Sequence, residues 1–457
     1  METKDGPIDL PLCNFTARIT SDITHDDGAE SIRSLEVEGQ LQSGRSLPRI
    51  LVSCADFPAM NWVVPGWGAE AVIGAGMGVR DHLRAALQRL SGEVPSRFVY
   101  QHTGWRRLEG QWCYLHGGGI IGADPISTLS PVSLPDPLAD FELPESPQGQ
   151  ELIGNIQSIL TFLSLGPDRL TFPLLGGVFR AVLGQTDFAL HLAGPTGSFK
   201  SEAAALAQQF FGPRMDARHL PANWSSTDNA LEGLAFSAKD AILVVDDFCP
   251  VGSSGDVQRY HKKADRLFRG QGNRSGRQRM KADASLRPSK PPRGMILSTG
   301  EDVPNGESLR ARLLILDISP GDLGPRPPCP NPQLSRCQND ARNGQYSGAL
   351  AGFLKWIAPQ FDDIQKGIPQ RTQEIRDQAG AEGQHARSPG IVADLMVGLD
   401  LFLRFALETE AISQHEHEEM KARAWRALLE AVDAQGSHVQ ESEPALRYRQ
   451  LLISVVA

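Results

Sequence analysis

The stretch DFALHLAGPTGSFKSEAAALAQQFFG (187–212) constrains this chain more than any other. A short apolar run ends at a glycine, a loop of small residues follows, and an Ala- and Gln-rich helix former closes it. Strand, glycine loop and helix is the context in which a phosphate-binding loop works: successive backbone N–H groups curl around an anion at a helix N-terminus. The pattern asks for Gly, four free positions, then Gly-Lys-Ser or Gly-Lys-Thr. Gly194, Lys200 and Ser201 fall in register and Gly197 is an extra glycine, but Phe199 stands where the second glycine belongs. A side chain is expected to be tolerated there if the backbone is already helical. Gly194, Thr196, Gly197, Ser198, Lys200 and Ser201 are the expected nucleotide contacts. Lys200 neutralises the β/γ-phosphates of ATP, and the Ser201 hydroxyl binds Mg²⁺.

Downstream, AILVVDDF (241–248) reads as a buried strand ending in two acids, with Asp246 46 positions after Lys200. Asp246 is the candidate Mg²⁺ ligand and Asp247 the candidate water-activating acid; a turn-capping surface pair is the alternative. Glutamate is commoner at the second position, so slower hydrolysis is expected. The next apolar run, in RGMILSTGED (293–302), ends at Ser298 and Thr299, where either hydroxyl could sense the γ-phosphate. Arg310 and Arg312 precede a further run, RARLLILDI (310–318). Either could reach a neighbouring subunit's nucleotide or form a surface ion pair.

Short apolar runs alternating with helices predict an α/β fold with a parallel sheet covered on both faces. Around this core the expected division is an α+β domain over 1–132, a Pro-rich acidic linker over 133–150, the P-loop domain over 151–333 and a helical domain over 334–457. In the first part, 34–54 reads as a hairpin, 68–91 as a helix, and FVYQHTGW and WCYLHGGGIIG as short strands. GIVADLMVGLDLFLRFALE (390–408) is the most apolar helix. An apolar share of 40% with 22% charged residues is that of an ordinary globular protein. No long apolar run spans a membrane and the polar N-terminus argues against export, so a cytoplasmic protein is expected. Six cysteines form no CxxC pair. His415 and His417 lie about 200° apart on a helix, which disfavours a metal site. The chain closes on LLISVVA without a stop signal, as a chain lacking a further C-terminal element would.

The net charge is −9, yet Arg259 to Arg293 holds twelve Lys/Arg against Asp265 and Asp283. Within it, GNRSGRQRMKADASLRPSK (272–290) is punctuated by Gly and Ser and reads as a loop or hairpin. Arg274, Arg277, Arg279 and Lys281 are the candidate DNA contacts. No aromatic residue lies in this segment, which favours backbone contact over base stacking.

In order, GPTGSFKSE, WSSTDNALEGLAFSAKDAILVVDD, GNRSGRQRM, ILSTGED and SLRARLLIL resemble a family of helicase-like AAA+ ATPases of bacterial phages and mobile elements. That family is akin to the Cch-type self-loading helicases of staphylococcal cassettes and related to MCM and superfamily-three ring helicases. The resemblance spans about residues 60–410 and includes HTGWRRLEGQW. It implies an AAA+ fold and an ATP- and Mg²⁺-dependent DNA helicase or translocase. It further implies assembly with itself as a ring, expected to be a hexamer, on single-stranded or forked DNA during replication of a mobile element. By the same resemblance Lys200 and Ser201 bind nucleotide, Asp246 and Asp247 are the metal and water pair, and Ser298 or Thr299 is the sensor. Arg312 is the finger in trans and 272–290 the channel-facing hairpin. Two rivals are an ATP-binding DNA scaffold with weak or no hydrolysis, and an ATPase of phage defence or protein remodelling.

Overall fold

Alternation of buried and exposed positions in the first hundred residues builds a sheet with one wet face. In the computed structural model, which describes residues 11–124, 131–278, 284–326, 328–380 and 388–441 with Glu2–Thr3, Gly6–Pro7 and Met280, the chain divides into two units. The first comprises residues 1–101 and 129–131, the second 102–128 and 132–457.

In the first unit β1 (Phe15–Asp26), β2 (Ser31–Leu41) and β3 (Ser46–Ser53) form an antiparallel meander, and β4 (Ser96–Tyr100) joins parallel to β1. The expected hairpin is β2 and β3. Phe15, Ile19, Val37 and Val52 line the inner face against Trp62 and Trp67. Helix α1 (Val79–Leu90) adds Leu83 and Leu87, one turn apart. It is shorter than the expected 68–91, because Gly78 at its N-cap takes φ +78° and residues before it do not follow the helix. The wet face carries the exposed pairs Arg18–Glu38 and Arg49–Glu38. Such pairs contribute little to stability.

The second unit begins earlier than the expected boundary at 132. Strands β5 (Gly104–Leu108), β6 (Gln111–His116) and β7 (Gly119–Gly122) form a meander that belongs with the P-loop region. The reason is docking of HTGW. The buried Trp105 indole donates to Val182 O (2.7 Å) and stacks on Phe361. Its backbone N–H donates to Asp240 Oδ2 (3.0 Å), and Tyr114 Oη donates to Asp240 O (2.7 Å). Gly104 allows the approach: a Cβ there would lie 2.5 Å from Lys239 O. Nor are residues 133–150 a solvated linker, since Leu138, Phe141 and Leu143 are buried in the same core.

Helices α2 (Gly149–Phe162) and α3 (Asp168–Ala181) lead into the parallel sheet. It comprises β8 (Ala189–Ala193), β9 (Ala222–Asn223), β10 (Ile242–Phe248), β11 (Met295–Gly300) and β12 (Leu313–Asp317), in the order β9-β10-β11-β8-β12. Its connections carry α4 (Lys200–Gln208), α5 (Asp228–Ser237) and α6 (Ser254–Gly272). The four longer strands are buried almost throughout, as strands covered on both faces must be.

The remaining helices are α7 (Pro332–Arg342), α8 (Gln345–Ile357), α9 (Phe361–Gly380), α10 (Ser388–Glu408) and α11 (Gln414–Glu441). They do not separate as a domain of their own: α10 lies on α3 at backbone distance. A Cβ on Gly398 would meet Arg180 N at 2.6 Å and Gly176 O at 2.8 Å. Phe179 stacks on Phe402, and the nearly buried Arg180 pairs with Asp394 at 2.7 Å. Among the described residues no helix is long and apolar enough to cross a membrane.

His116 ties β6 to the 133–150 segment, because its Nδ1 accepts the N–H groups of Gly118 (3.2 Å) and Leu143 (3.1 Å). Burial pushes its pKa down to about 4 from an ordinary 6.5. The unfolded chain therefore takes up this proton first. Its contribution to stability is complete above about pH 6.5 and is lost as pH falls towards 4. We expect Tm to fall over that window, and His116→Gln to flatten this acid limb; an unchanged limb would remove His116 as its cause.

Candidate nucleotide-binding site

A parallel sheet brings the C-terminal ends of its strands to one edge, and the site lies there. Strand β8 is completely buried and delivers Gly194 to that edge. A Cβ on Gly194 would fall 2.4 Å from Ile318 O, so the loop leaves the sheet flush against the chain after β12. Gly197 turns the loop with φ +76°, and Ser198 N donates to Pro195 O (3.2 Å). Ser198 is buried; Thr196 and Gly197 face solvent. Helix α4 then starts at Lys200. Its Ala203, Ala204, Ala205 and Ala207 are small and buried, which lets it lie flat on the sheet.

Phe199 does not have the helical backbone expected for it. It caps α4 with φ 64° and ψ 24°, the left-handed conformation that a glycine would take freely. For a residue with a Cβ that geometry costs about 1–2 kcal/mol. The half-buried ring packs against the main core and offsets part of this cost.

The acid pair arrives on β10. Asp246 Oδ1 accepts the Ser201 hydroxyl (2.8 Å) and the Thr299 hydroxyl (2.5 Å), joining α4, β10 and β11 at one oxygen. The pairing of β10 with β11 shifts register between Val245 and Phe248. There Asp247 takes φ 66° and donates its N–H to Thr299 Oγ1 (3.0 Å), leaving its carboxylate exposed beside the loop. Gln208, buried on α4, bonds β10 by side chain alone, donating to Ile242 O (3.1 Å) and accepting from Val244 N (2.9 Å).

Of the two sensor candidates only Thr299 reaches this cluster. Neighbouring residues on a strand point to opposite faces. Ser298 is fully buried, accepting from Trp224 Nε1 (2.9 Å) and bonding His191 Nδ1 (3.1 Å).

A cavity of about 330 Å³ opens between the loop and these strand ends, lined by Thr196, Lys200, Ser201, Asp247, Thr299 and Glu301 among others. Its volume is in the range of small-ligand pockets. Lys200 Nζ donates to Pro195 O (2.9 Å). Desolvation lowers its pKa, opposed by Glu301, Asp246 and Asp247. Ser201 and Asp246 supply hard oxygens of the kind Mg²⁺ takes, one or two from protein and the rest from phosphate and water. These donors fit the metal. Two residues here escaped sequence reasoning. Glu301 accepts a hydrogen bond from the Thr196 hydroxyl. The exposed Arg326, from the Pro-rich stretch after β12, lies beside the loop, with its guanidinium carbon 3.7 Å from where a Gly197 Cβ would be.

Arg312 lies elsewhere. It precedes β12 at the opposite end of the sheet, is 9% exposed, and donates to Asn273 Oδ1 (3.0 Å) within its own chain. Arg310 is half-buried, with Nε 3.4 Å from Pro304 O.

The basic excess is smaller than its sequence count. On α6 Arg259 pairs with Asp256, Arg266 with Asp228 and Arg269 with Asp265, while Arg293 is buried over Phe236. Beyond α6 an antiparallel bridge, Met280 to Leu286, makes the segment a hairpin, with both side chains exposed. Arg274 and Arg277 are exposed at its base. Arg279 and Lys281 lie outside the described residues.

Residues 166–287 match a family described as a domain of unknown function, DUF927. This covers the loop, the acid pair and nearly all of the basic hairpin, about a quarter of the chain. No curated protein matches the chain in sequence. Among solved structures it is similar to the SCCmec type IV Cch active helicase, with a TM-score of 0.59 and 12% identity over 99% of this chain and 80% of that one. At that identity the likeness is one of fold. The C-terminal region of NrS-1 aligns over 90% of this chain and 86% of that one, at a TM-score of 0.35 and 11% identity.

The left-handed backbone at Phe199 has a measurable signature. Phe199→Gly and Phe199→Ala both lose the ring, but only alanine keeps the strain. We expect the alanine variant to be less stable than the glycine variant by about 1 kcal/mol in denaturant unfolding. Equal stability would mean that the backbone there is not left-handed.

Proposed function

We propose that this chain is an ATP-hydrolysing ring motor of the AAA+ helicase type that tracks on DNA during replication of a phage or mobile element. The observation that carries the proposal is the meeting of Ser201, Asp246 and Thr299 at one oxygen beside Lys200. No structural role calls for a carboxylate, two hydroxyls and an ammonium around one open cavity, whereas a metal-bound triphosphate calls for all of them. The fold it shares with a helicase is consistent with this reading.

In this reading the loop N–H groups and Lys200 hold the β- and γ-phosphates. Ser201 and Asp246 hold Mg²⁺, which when bound neutralises charge developing on the phosphates. Thr299 keeps Asp246 and the backbone of Asp247 in place through its single hydroxyl. Asp247, free at the cavity edge, orients the attacking water. Arg326 is close enough to the loop to meet a phosphate oxygen. Contact with a neighbouring subunit of the ring, a hexamer in this proposal, falls to the arginines before β12, Arg312 or Arg310. The hairpin follows DNA by charge, because its exposed residues offer cations and aliphatic groups and no stacking platform.

Lys200→Ala should abolish ATP binding, measured with a fluorescent nucleotide in Mg²⁺. Turnover at the parent rate in that variant would remove the site. Mixing Lys200→Ala with Arg310→Ala protein should restore part of the turnover if Arg310 acts between subunits. No recovery in mixed assemblies shown to form would reject that role. Turnover unaffected by single-stranded DNA would favour the scaffold or remodelling alternatives.

For single strands log K falls with log salt at about −0.7 per phosphate neutralised. Replacing Arg274, Arg277, Arg279 and Lys281 by Ala should flatten that slope by up to about 2.8, equally for unrelated sequences. A parent-like slope would place the DNA track elsewhere.

A further inference from the structure

Four carboxylates stand around the nucleotide cavity: the reading above uses Asp246 and Asp247, and Glu202 accepts from Gln338 (2.8 Å). The fourth, Glu301, is exposed but springs from a firmly held backbone. Its N–H donates to Phe248 O (3.2 Å), one residue beyond the acid pair, and the preceding Gly300 O accepts Gly194 N (3.3 Å) at the start of the loop. A Cβ on Gly300 would lie 2.6 Å from Phe248 O, so the backbone here passes tightly between the two strands that carry the site. The side chain then extends over the cavity and accepts the Thr196 hydroxyl.

This position is near the reacting end of a bound triphosphate. The lysine of a phosphate loop serves the β- and γ-phosphates. Lys200 Nζ lies 2.9 Å from Pro195 O, next to Thr196, so the Pro195–Thr196 end of the loop faces those phosphates. Glu301 is bonded at that end. Of the acids acting on Lys200 it has the largest effect, ahead of Asp246 and Asp247. Asp246 is already committed to two hydroxyls. Asp247 has the shorter side chain and springs from a left-handed turn at the register break.

We propose that Glu301 is the general base of this site: its carboxylate takes a proton from the attacking water while Asp247 orients that water. The inference rests on the ATPase reading above. The water oxygen forms the new bond to the γ-phosphorus as the bond from that phosphorus to the β,γ-bridging oxygen breaks. The electron pair of the broken bond leaves on ADP, and the proton passes from Glu301 to solvent or to the released phosphate. Before ATP binds, the Thr196 hydroxyl satisfies the same carboxylate.

The test compares Glu301→Gln, Glu301→Asp and Asp247→Asn in the full chain, measuring nucleotide affinity and single-turnover hydrolysis separately. Glu301→Gln should bind ATP at least as tightly as the parent, because a negative charge beside the phosphates is removed. Its hydrolysis should fall by about 10²- to 10⁴-fold, the usual contribution of a general base. Glu301→Asp should recover part of the rate, and Asp247→Asn should lose less than Glu301→Gln. Hydrolysis by Glu301→Gln within threefold of the parent would overturn the proposal. So would a loss of ATP affinity that matches the loss of rate, which is the result of merely holding Thr196 in place. A greater loss in Asp247→Asn would return the role to Asp247. These outcomes are separate from failure of the ATPase reading, which would show as an inactive parent or as a Lys200→Ala variant with parental turnover.

Discussion

One carboxylate oxygen organises this protein. Asp246 Oδ1 receives a hydroxyl from the first turn of α4 and another from the end of β11. It can do so only because β10 and β11 run in register, with Val245 opposite Ser298, up to the residue before the acid pair. Two further hydrogen bonds maintain this arrangement at a distance. Gln208 fastens α4 to β10 where the two-residue β9 leaves that strand's backbone unpaired. Trp224 and His191 hold Ser298 beneath the sheet, so that Thr299 must face the cavity. The site is therefore a consequence of strand register and of a buried polar network whose donors and acceptors are matched.

What was legible in the sequence was local. The loop, the acid pair and the four longer strands of the parallel sheet are carried by runs of a few residues, whose apolar length and bounding glycines or acids are visible without a fold; the two-residue β9 is not. The choice between Ser298 and Thr299 was not legible, because β11 is buried on both faces and carries no apolar–polar alternation to show which side is which. The burial of Arg312 was not legible, because it depends on Gly272 and Asn273, which the fold brings to it from the end of α6. Glu301 and Arg326 were missed for the converse reason: neither belongs to a motif, and only tertiary structure sets them beside the loop. The boundary at 132 failed where Trp105 finds its partners at Val182, Asp240 and Phe361, far along the chain. The Pro-rich 133–150 segment has the composition of a linker, but three apolar side chains at short spacing hold it in the core.

The basic region shows how far charge counting goes. Twelve cations lie between Arg259 and Arg293, yet those on α6 mostly face acids on α5 or on their own helix. Helical spacing makes such pairing nearly automatic for residues three or four apart. Arginines exposed without such partners among the described residues come after the helix ends, at Arg274, Arg277 and Arg287. Exposed arginine charge of this kind is thus concentrated at the hairpin rather than spread along the whole basic stretch.

Two residues on opposite sides of the cavity, Phe199 and Asp247, have left-handed backbones although neither is glycine. Each such conformation costs on the order of 1 kcal/mol and persists only where its surroundings determine it. At Phe199 the determinants are the Gly197 turn before it, the first hydrogen bond of α4, from Ala203 N to its carbonyl, and the ring's burial. At Asp247 they are the register break and the bond to Thr299. A glycine at either position would relieve the strain, but it would also remove the groups that the strained backbone presents: an aromatic wall for the cavity on one side and a carboxylate on the other. Relaxing either backbone would turn that group away from the cavity. The strain is best understood as the cost of aiming two side chains into one cavity from chain segments that would otherwise carry them past it.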